Sequence, residues 1–67
     1  MTILELTHIA EYYFRKKRTR CRFDRIVARD KLKVKGERIY IFVGVFDCPN
    51  GSKRTHLVKL NKYGKKY

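Results

Sequence analysis

Residues 39–46, IYIFVGVF, form the longest apolar run in the chain and are apolar at odd and even positions alike. A strand with this pattern is covered on both faces, as the central strands of sheets are. The run is far shorter than the ~20 residues that a helix needs to cross a bilayer. We therefore predict a buried central strand over 38–46, and the rest of the fold has to be built around it.

Turn-bounded segments before and after this run predict two partner strands for it. Residues 21–28, CRFDRIVA, and 54–61, RTHLVKLN, are rich in β-branched or aromatic residues. Pro49 followed by Asn50-Gly51 predicts a turn between the central strand and the last one. Because the connections are short, strands that are neighbours in sequence should also be neighbours in an antiparallel sheet.

The first strand has an irregular apolar pattern. Cys21, Phe23 and Val27 share one parity, which predicts that they face the core. Ile26 and Ala28 break this alternation. The break indicates a β-bulge or a strand with apolar surroundings on both sides.

Residues 31–35, KLKVK, alternate cleanly and either extend the first strand or form a short one of their own. The alternation predicts that Leu32 and Val34 point inward and that the three lysines point outward. Gly36 then supplies the turn into the central strand.

The N-terminal residues carry the signature of an amphipathic helix. Thr2 and Glu5 have the spacing of a capping box, and basic residues 15–18 suit the negative end of a helix dipole. We therefore predict a helix over about residues 3–17. The apolar positions on one face of it are Leu6, Ile9, Ala10, Tyr13 and Phe14.

These elements predict an α+β fold in which an N-terminal helix packs across one face of a three-stranded antiparallel β-meander, in the order α-β-β-β. The domain should extend over residues 1–62. Residues 63–67, YGKKY, are expected to form a frayed basic tail.

The balance of charge is the strongest indication of function. Lys and Arg total 18 against 6 Asp and Glu, which gives a net charge of +12. A compact body with this charge attracts polyanions and accelerates their association, which favours a nucleic acid, DNA or RNA, as the partner. An acidic protein surface is the alternative partner. No segment combines a basic amphipathic face with freedom from other packing, so we expect no membrane binding.

The basic residues fall into groups that we predict to neutralise phosphates. Arg20 and Arg22 alternate with apolar neighbours and should project together from the sheet face opposite the core, and the lysines of 31–35 should form a second row of the same kind. Such contacts make recognition only weakly dependent on sequence. The candidate contacts are Arg15, Lys16, Lys17, Arg18, Arg20, Arg22, Lys31, Lys33, Lys35, Arg38, Lys53 and Arg54.

Aromatic residues of the central strand offer a second mode of contact. Tyr40, Phe42 and Phe46 share one parity. If their face is open, Tyr40 and Phe42 beside Arg22 and Arg38 would form a platform on which unpaired bases stack. The alternative is that these rings complete the core.

The sequence contains no arrangement that predicts catalysis or metal binding. Cys21 and Cys48 belong to no Cys-x-x-Cys pair, and with His8 and His56 their spacing matches no familiar zinc site. We therefore predict two half-buried thiols and neither metal nor cofactor. A disulfide would require the strands to bring the two cysteines close together. No nucleophile–histidine or acid–base pair stands out, so we predict that the protein is not an enzyme.

The order AEYYFRKK…RFDRIV…RIYIFV resembles the opening half of the restriction-endonuclease-like nucleases. In that family a helix precedes a strand with a metal-binding Asp, and the next strand carries Glu-x-Lys. Asp24 matches the Asp, but residues 42–45, FVGV, stand where Glu-x-Lys is expected. The resemblance therefore implies a non-catalytic relative, because metal-assisted hydrolysis lacks its second carboxylate and its lysine.

The segment LTHIAEYY, residues 6–13, is similar to the short peptide by which proteins dock on the replication sliding clamp. Ile9, Tyr12 and Tyr13 match the hydrophobic plug of that peptide, and Leu6 replaces its Gln. This resemblance implies an inhibitor or adaptor for an acidic partner. Tyr12 would be the exposed contact, because Ile9 and Tyr13 also belong to the apolar face of the helix.

Three further expectations concern the setting of the protein. The N-terminus lacks the basic-then-apolar order of a signal peptide, so we expect a cytoplasmic protein. An unpaired strand edge leaves both a monomer and a homodimer open. The absence of Gln and the density of Lys and Arg are compatible with a thermophilic source.

Overall fold

The computed structural model describes residues 1–67 and contains one helix and three strands. The helix α1 (Ile3–Lys16) is followed by β1 (Arg22–Val34), β2 (Glu37–Asp47) and β3 (Lys53–Asn61). The strands form one antiparallel sheet in the order β1-β2-β3, and α1 packs on one face of it. The predicted α-β-β-β fold is confirmed, and the apolar run lies in the central strand.

The helix begins at the predicted capping box. The backbone N–H of Glu5 donates to Thr2 Oγ1 at 3.2 Å, and the N–H of Thr2 donates to Glu5 Oε1 at 2.9 Å. The hydrogen bonds that the Glu5 carboxylate accepts from the backbone and from the side chain of Thr2 hold the pKa of Glu5 below its usual value. At the other end, the N–H of Lys17 donates to the carbonyl of Phe14. The helix is too short and too polar to cross a bilayer.

The core lies between α1 and the helix-side face of the sheet. The predicted apolar face of the helix is confirmed, with Ile9 and Tyr13 half-buried at its margin. Because Phe42 and Phe46 are buried against the helix, the alternation of β2 turns Ile41, Val43 and Val45 to the other face. The buried cluster consists of Leu6, Ala10, Phe14, Phe42, Phe46, Val58 and Leu60.

Gly44 allows the helix to approach the sheet closely. The ring of Phe14 lies directly over Gly44, and a Cβ built there would stand 3.0 Å from three ring atoms. The same ring stacks on Phe23, with centroids 5.3 Å apart, and meets Phe46 edge-on at 5.9 Å. Phe14 therefore contacts two aromatic residues and one glycine, from the strands β1 and β2.

The strand β1 contains the predicted bulge and a second one. Its register against β2 shifts between Phe23 and Arg25, and again between Ile26 and Ala28. Ile26 pairs with Gly44 and packs against the core, whereas Val27 is 48% exposed. The inward position predicted for Val27 is therefore wrong, because the second bulge moves it out of the alternation.

The second bulge also reverses the prediction for residues 31–35. Each bulge exchanges the two faces for the residues that follow it. After one bulge Leu32 would face the helix, but the second bulge restores the original alternation. Leu32 therefore pairs with Ile39 on the face away from the helix. Leu32 is 42% exposed there. Lys31 pairs with Tyr40 and lies on the helix-bearing face. The prediction that these lysines project from the face opposite the core is therefore wrong.

Both hairpin connections follow the predicted turns. Lys35 and Gly36 have φ values of 50° and 81°, so both central residues of the first turn are left-handed, as a two-residue hairpin of type I′ requires. In the second connection, Asn50 Oδ1 accepts hydrogen bonds from the N–H and Oγ of Ser52. Gly51 has a φ of 85° in that turn, which only glycine adopts easily.

The C-terminal residues are ordered along β3, so the predicted frayed tail is wrong. The N–H of Asn61 donates to the carbonyl of Lys65, and the N–H of Tyr67 donates to the carbonyl of Lys59, both at 2.9 Å. Asn61 Oδ1 also accepts from the N–H of Tyr63 and of Lys65. A left-handed turn at Gly64 makes this return possible, and the predicted tail includes no such turn.

Candidate nucleic-acid interface

A disulfide joins the start of β1 to the end of β2. Arg22 pairs with Asp47, so Cys21 and Cys48 stand next to each other one residue beyond that pair, and their sulfur atoms are bonded. The prediction of two free thiols is therefore wrong. The cysteines lie 27 positions apart in sequence, and only the register of the strands reveals that they meet. No group of three or more possible metal ligands occurs in the structure.

Three segments that carry most of the candidate cations lie at the same end of the molecule as the disulfide. The last turn of α1, the linker into β1 and the start of β3 all lie at this end of the molecule. Every one of the basic residues concerned is exposed. We call them the disulfide-end cluster: Arg15, Lys16, Lys17, Arg18, Arg20, Arg22, Lys53 and Arg54.

The other candidate cations lie at the opposite end of the sheet. Lys31, Lys33, Lys35 and Arg38 belong to the β1–β2 hairpin, and Lys62, which the sequence analysis missed, lines a depression with Lys33 and Arg38. The molecule is 42 Å long and 17 Å wide. The candidate residues therefore form two separate clusters rather than the single surface that the sequence suggested.

Almost none of these charges is neutralised within the protein. Of the 18 Lys and Arg side chains, two have an acidic partner within 4.0 Å. Arg25 binds Asp24 at 2.7 Å, and Lys53 binds Asp47. Apart from Lys53, the disulfide-end cluster is thus free to bind an anion.

Contacts at the disulfide end fix two of its arginines relative to the sheet. The Arg15 guanidinium lies over the ring of Phe23, 5.1 Å from its centroid. Arg54 pairs with Phe46 and so lies on the helix-bearing face. Arg20 and Arg54 line the same open depression, whose floor includes the disulfide. A phosphate in this depression would meet guanidinium groups from two different segments.

His56 is a residue of this end that the sequence analysis did not predict to have a role here. It pairs with Gly44, meets the ring of Phe46 edge-on at 4.9 Å, and its Nε2 is buried without a hydrogen-bond partner. Burial lowers the pKa of His56, and the positive charges of Lys17 and Arg54 lower it further. In the sequence, only the alternation of β3 indicates this inward position, because His56 falls on the same face of the strand as Arg54 and Val58.

The lowered pKa predicts that the protein loses stability as the pH falls. Below the usual histidine pKa of about 6.5, the unfolded chain binds a proton that folded His56 resists, so the free energy of unfolding decreases from there down to the folded pKa. We expect His56→Gln to flatten this part of a urea-unfolding profile measured between pH 7 and pH 5. His8→Gln, on the exposed side of α1, is the control for replacing a histidine. An identical pH profile for His56→Gln and the wild type would contradict the prediction.

The proposed stacking platform is wrong for one of its two rings. Phe42 is completely buried in the core cluster, since the helix covers the face on which it lies. Tyr40 is half-buried and packs against that cluster, and part of it lines the depression near Lys33 and Arg38. The aromatic residues of β2 thus serve mainly to pack the core. They do not form the predicted platform on which unpaired bases would stack.

The residues that carry the two resemblances differ in their position and exposure in the fold. Asp24 lies in the first bulge and is bound by Arg25. Tyr12 is 57% exposed, as predicted, with Lys16 Nζ 4.9 Å from its ring centroid. Ile9 and Tyr13 pack against the core, so a partner that inserted them into a pocket would have to draw them away from the domain.

No protein-family model, no curated protein and no solved structure matches this chain. A functional proposal therefore rests on the geometry and charge of the chain itself.

Proposed function

We propose that this protein is a small, non-enzymatic nucleic-acid-binding protein that uses the disulfide-end cluster to neutralise phosphates. The observation that carries the proposal is the convergence of this cluster from three segments, with acidic partners for Lys53 alone. Cations without internal partners release condensed counterions when they bind a phosphate backbone, and this release supplies the affinity.

The rigidity of this end supports binding over simple solvation. The disulfide ties the linker that carries Arg20 to the loop that precedes Arg54, so the two guanidinium groups do not have to be brought together when a ligand binds. One guanidinium group can donate two parallel hydrogen bonds to the oxygens of a phosphate, which suits arginine to this role. The contacts carry no information about bases, so recognition should be weakly sequence-dependent.

The burial of Phe42 also bears on the form of nucleic acid. Single-stranded recognition normally relies on several exposed aromatic rings. Phe42 is inside the core, and Tyr12 is the one exposed ring that contacts a cation of the disulfide-end cluster. Duplex DNA presents a phosphate about every 1.7 Å of its axis, a denser charge than a single strand offers. We therefore propose a duplex as the preferred ligand.

The setting that we propose is the cytoplasm of a thermophilic organism. Cytosolic disulfides are rare in mesophiles, where thiols are kept reduced, but they are common in the intracellular proteins of hyperthermophiles. The Cys21–Cys48 bond and the high density of Lys and Arg support this combination.

Fluorescence anisotropy with labelled duplex and single-stranded DNA and RNA tests the proposal. We expect binding that survives physiological salt, is tighter for duplexes, and weakens with salt. The logarithm of the binding constant should fall against the logarithm of salt concentration with a slope of about −6 if every cluster member except Lys53 contacts a phosphate. Binding that vanishes well below physiological salt would show that the charge is generic and would refute the proposal.

A further inference from the structure

The sheet face opposite α1, which we call the open sheet face, is apolar and is only partly covered within the chain. Its centre is the row of Ile41, Val43 and Val45 on β2, of which Val45 is buried and the other two are half-buried. Ala28 and Leu57 flank Val43 on the two outer strands, and both are exposed, Leu57 at 59%. A contiguous apolar face on a small protein usually marks an interaction surface.

The open sheet face is also electrically balanced, in contrast to the rest of the protein. The net charge of the chain is +12, yet most of its six acidic residues lie on or beside this face. They are Asp30, Glu37 and Asp47, with Asp24 in the adjacent bulge. The basic residues that the register places on the same face are Arg22, Arg25, Lys53 and Lys59. A partner with a strongly acidic surface would therefore find its complement elsewhere on this molecule.

Both edges of the sheet are protected against the addition of a strand. β1 has two bulges and several charged side chains, which are the usual devices that prevent edge pairing. The backbone of β3 is covered in part by the returning C-terminal residues. The apolar face, rather than an edge, is the surface left for association.

We propose that a second copy of this chain packs on the open sheet face, forming a homodimer of two sheets face to face. An isologous interface has to be self-complementary, and a face that carries charges of both signs allows this. A two-fold axis parallel to β2 brings opposite charges together in the middle of the face, but it places Arg22 opposite Lys53 of the second copy at the disulfide end. With this axis, β1 of each copy lies opposite β3 of the other. Ala28 then meets Leu57 of the second copy, a small residue against a large one, and Asp30 meets its Lys59. Neither Asp30 nor Lys59 has an ion-pair partner within one chain.

The dimensions of the molecule leave room for an interface of standard size, and its charge predicts how the dimer responds to salt. The whole molecule measures 42 by 17 Å, so two fully overlapping copies face each other over about 700 Å², near the ~800 Å² that each partner contributes to a standard interface. The two basic ends repel between copies, so salt should tighten the dimer by screening this repulsion. Salt weakens nucleic-acid binding, so the opposite response to salt distinguishes the dimer from the proposed nucleic-acid binding.

Sedimentation equilibrium of the wild type and two variants tests the dimer. Leu57→Lys places a charge on the open sheet face, and Leu4→Lys is its matched control, because Leu4 is 62% exposed on the far side of α1. We expect the wild type to dimerise more tightly at 0.5 M than at about 0.05 M salt. Leu57→Lys should raise the dissociation constant at least about tenfold at both salt concentrations, whereas Leu4→Lys should leave it near the wild-type value. A monomeric wild type at millimolar concentration and high salt, or equal effects of the two variants, would overturn the proposal.

A charge exchange tests the arrangement of the two copies. Asp30→Lys and Lys59→Asp should each weaken the dimer, because each places like charges opposite one another twice per dimer. The double variant Asp30→Lys/Lys59→Asp should recover most of the lost affinity. Failure of the double variant to recover would overturn the packing of β1 against β3 of the second copy.

Discussion

Replacing Phe14 with alanine is expected to lower the free energy of unfolding by about 3–5 kcal/mol. Phe14 is 1% exposed, and its ring contacts Gly44, Phe23 and Phe46 from three directions. The glycine cannot fill the resulting cavity, since it has no side chain to move into it. A domain of this size is stable by only about 3–10 kcal/mol, so the substitution should remove about a third or more of its stability.

Urea unfolding followed by circular dichroism measures this effect, with Tyr12→Ala as the control. Tyr12 lies on the same helix but is 57% exposed, so its replacement should change the free energy of unfolding by less than about 1 kcal/mol. If Phe14→Ala unfolded at the same urea concentration as Tyr12→Ala, the helix would not be held to the sheet by this ring.

Removal of the Cys21–Cys48 disulfide should cost about 3–4 kcal/mol. The bond closes a loop over 27 positions of sequence, which restricts the unfolded chain more than a short loop would. The loop contains all of β1 and β2. Its opening should therefore destabilise the whole sheet.

Urea unfolding with and without a reductant checks this prediction. The wild type should lose stability when reduced, and Cys21→Ser/Cys48→Ser should match the reduced wild type in either condition. A wild-type unfolding midpoint that does not move on reduction would show that the two cysteines are unbonded in solution.

The parts of the fold that depend on local pattern could be predicted from the sequence. The capping box at Thr2 and the helical spacing from Leu6 to Phe14 act within one segment, and the helix follows both. The apolar run of β2 indicated a central strand because it is apolar at every position, whatever its partners.

The errors arose where pairing between strands decides the outcome. A pattern of parity shows that β1 is irregular but not that it contains two bulges, and the number of bulges decides which face Leu32 and Lys31 occupy. The disulfide follows from the register of Arg22 against Asp47, which local sequence does not contain. The return of the C-terminus depends on the amide of Asn61 and on Gly64, two positions whose roles appear only in the folded chain.

The sequence shows which residues of the candidate site are basic, but not where they lie in the fold. Arg20 and Lys33 are both basic, so the sequence predicts the same role for them. In the structure they lie at opposite ends of a molecule 42 Å long. The sequence does not show where the acidic residues lie. Most of them lie on or near the open sheet face, and in the disulfide-end cluster only Lys53 has an acidic partner.

The salt dependence of DNA binding by two charge-matched double variants is the most direct test of the nucleic-acid interface. Arg20→Ala/Arg54→Ala removes two arginines from the disulfide-end cluster, and Arg29→Ala/Arg38→Ala removes two exposed arginines from outside it. The measurement is fluorescence anisotropy of a labelled DNA duplex from low to physiological salt. We predict that the first variant loses about two units of the slope, near 0.9 for each lost phosphate contact, and that the second keeps the wild-type slope. Equal changes in the two variants, or none in the first, would contradict an interface at the disulfide end.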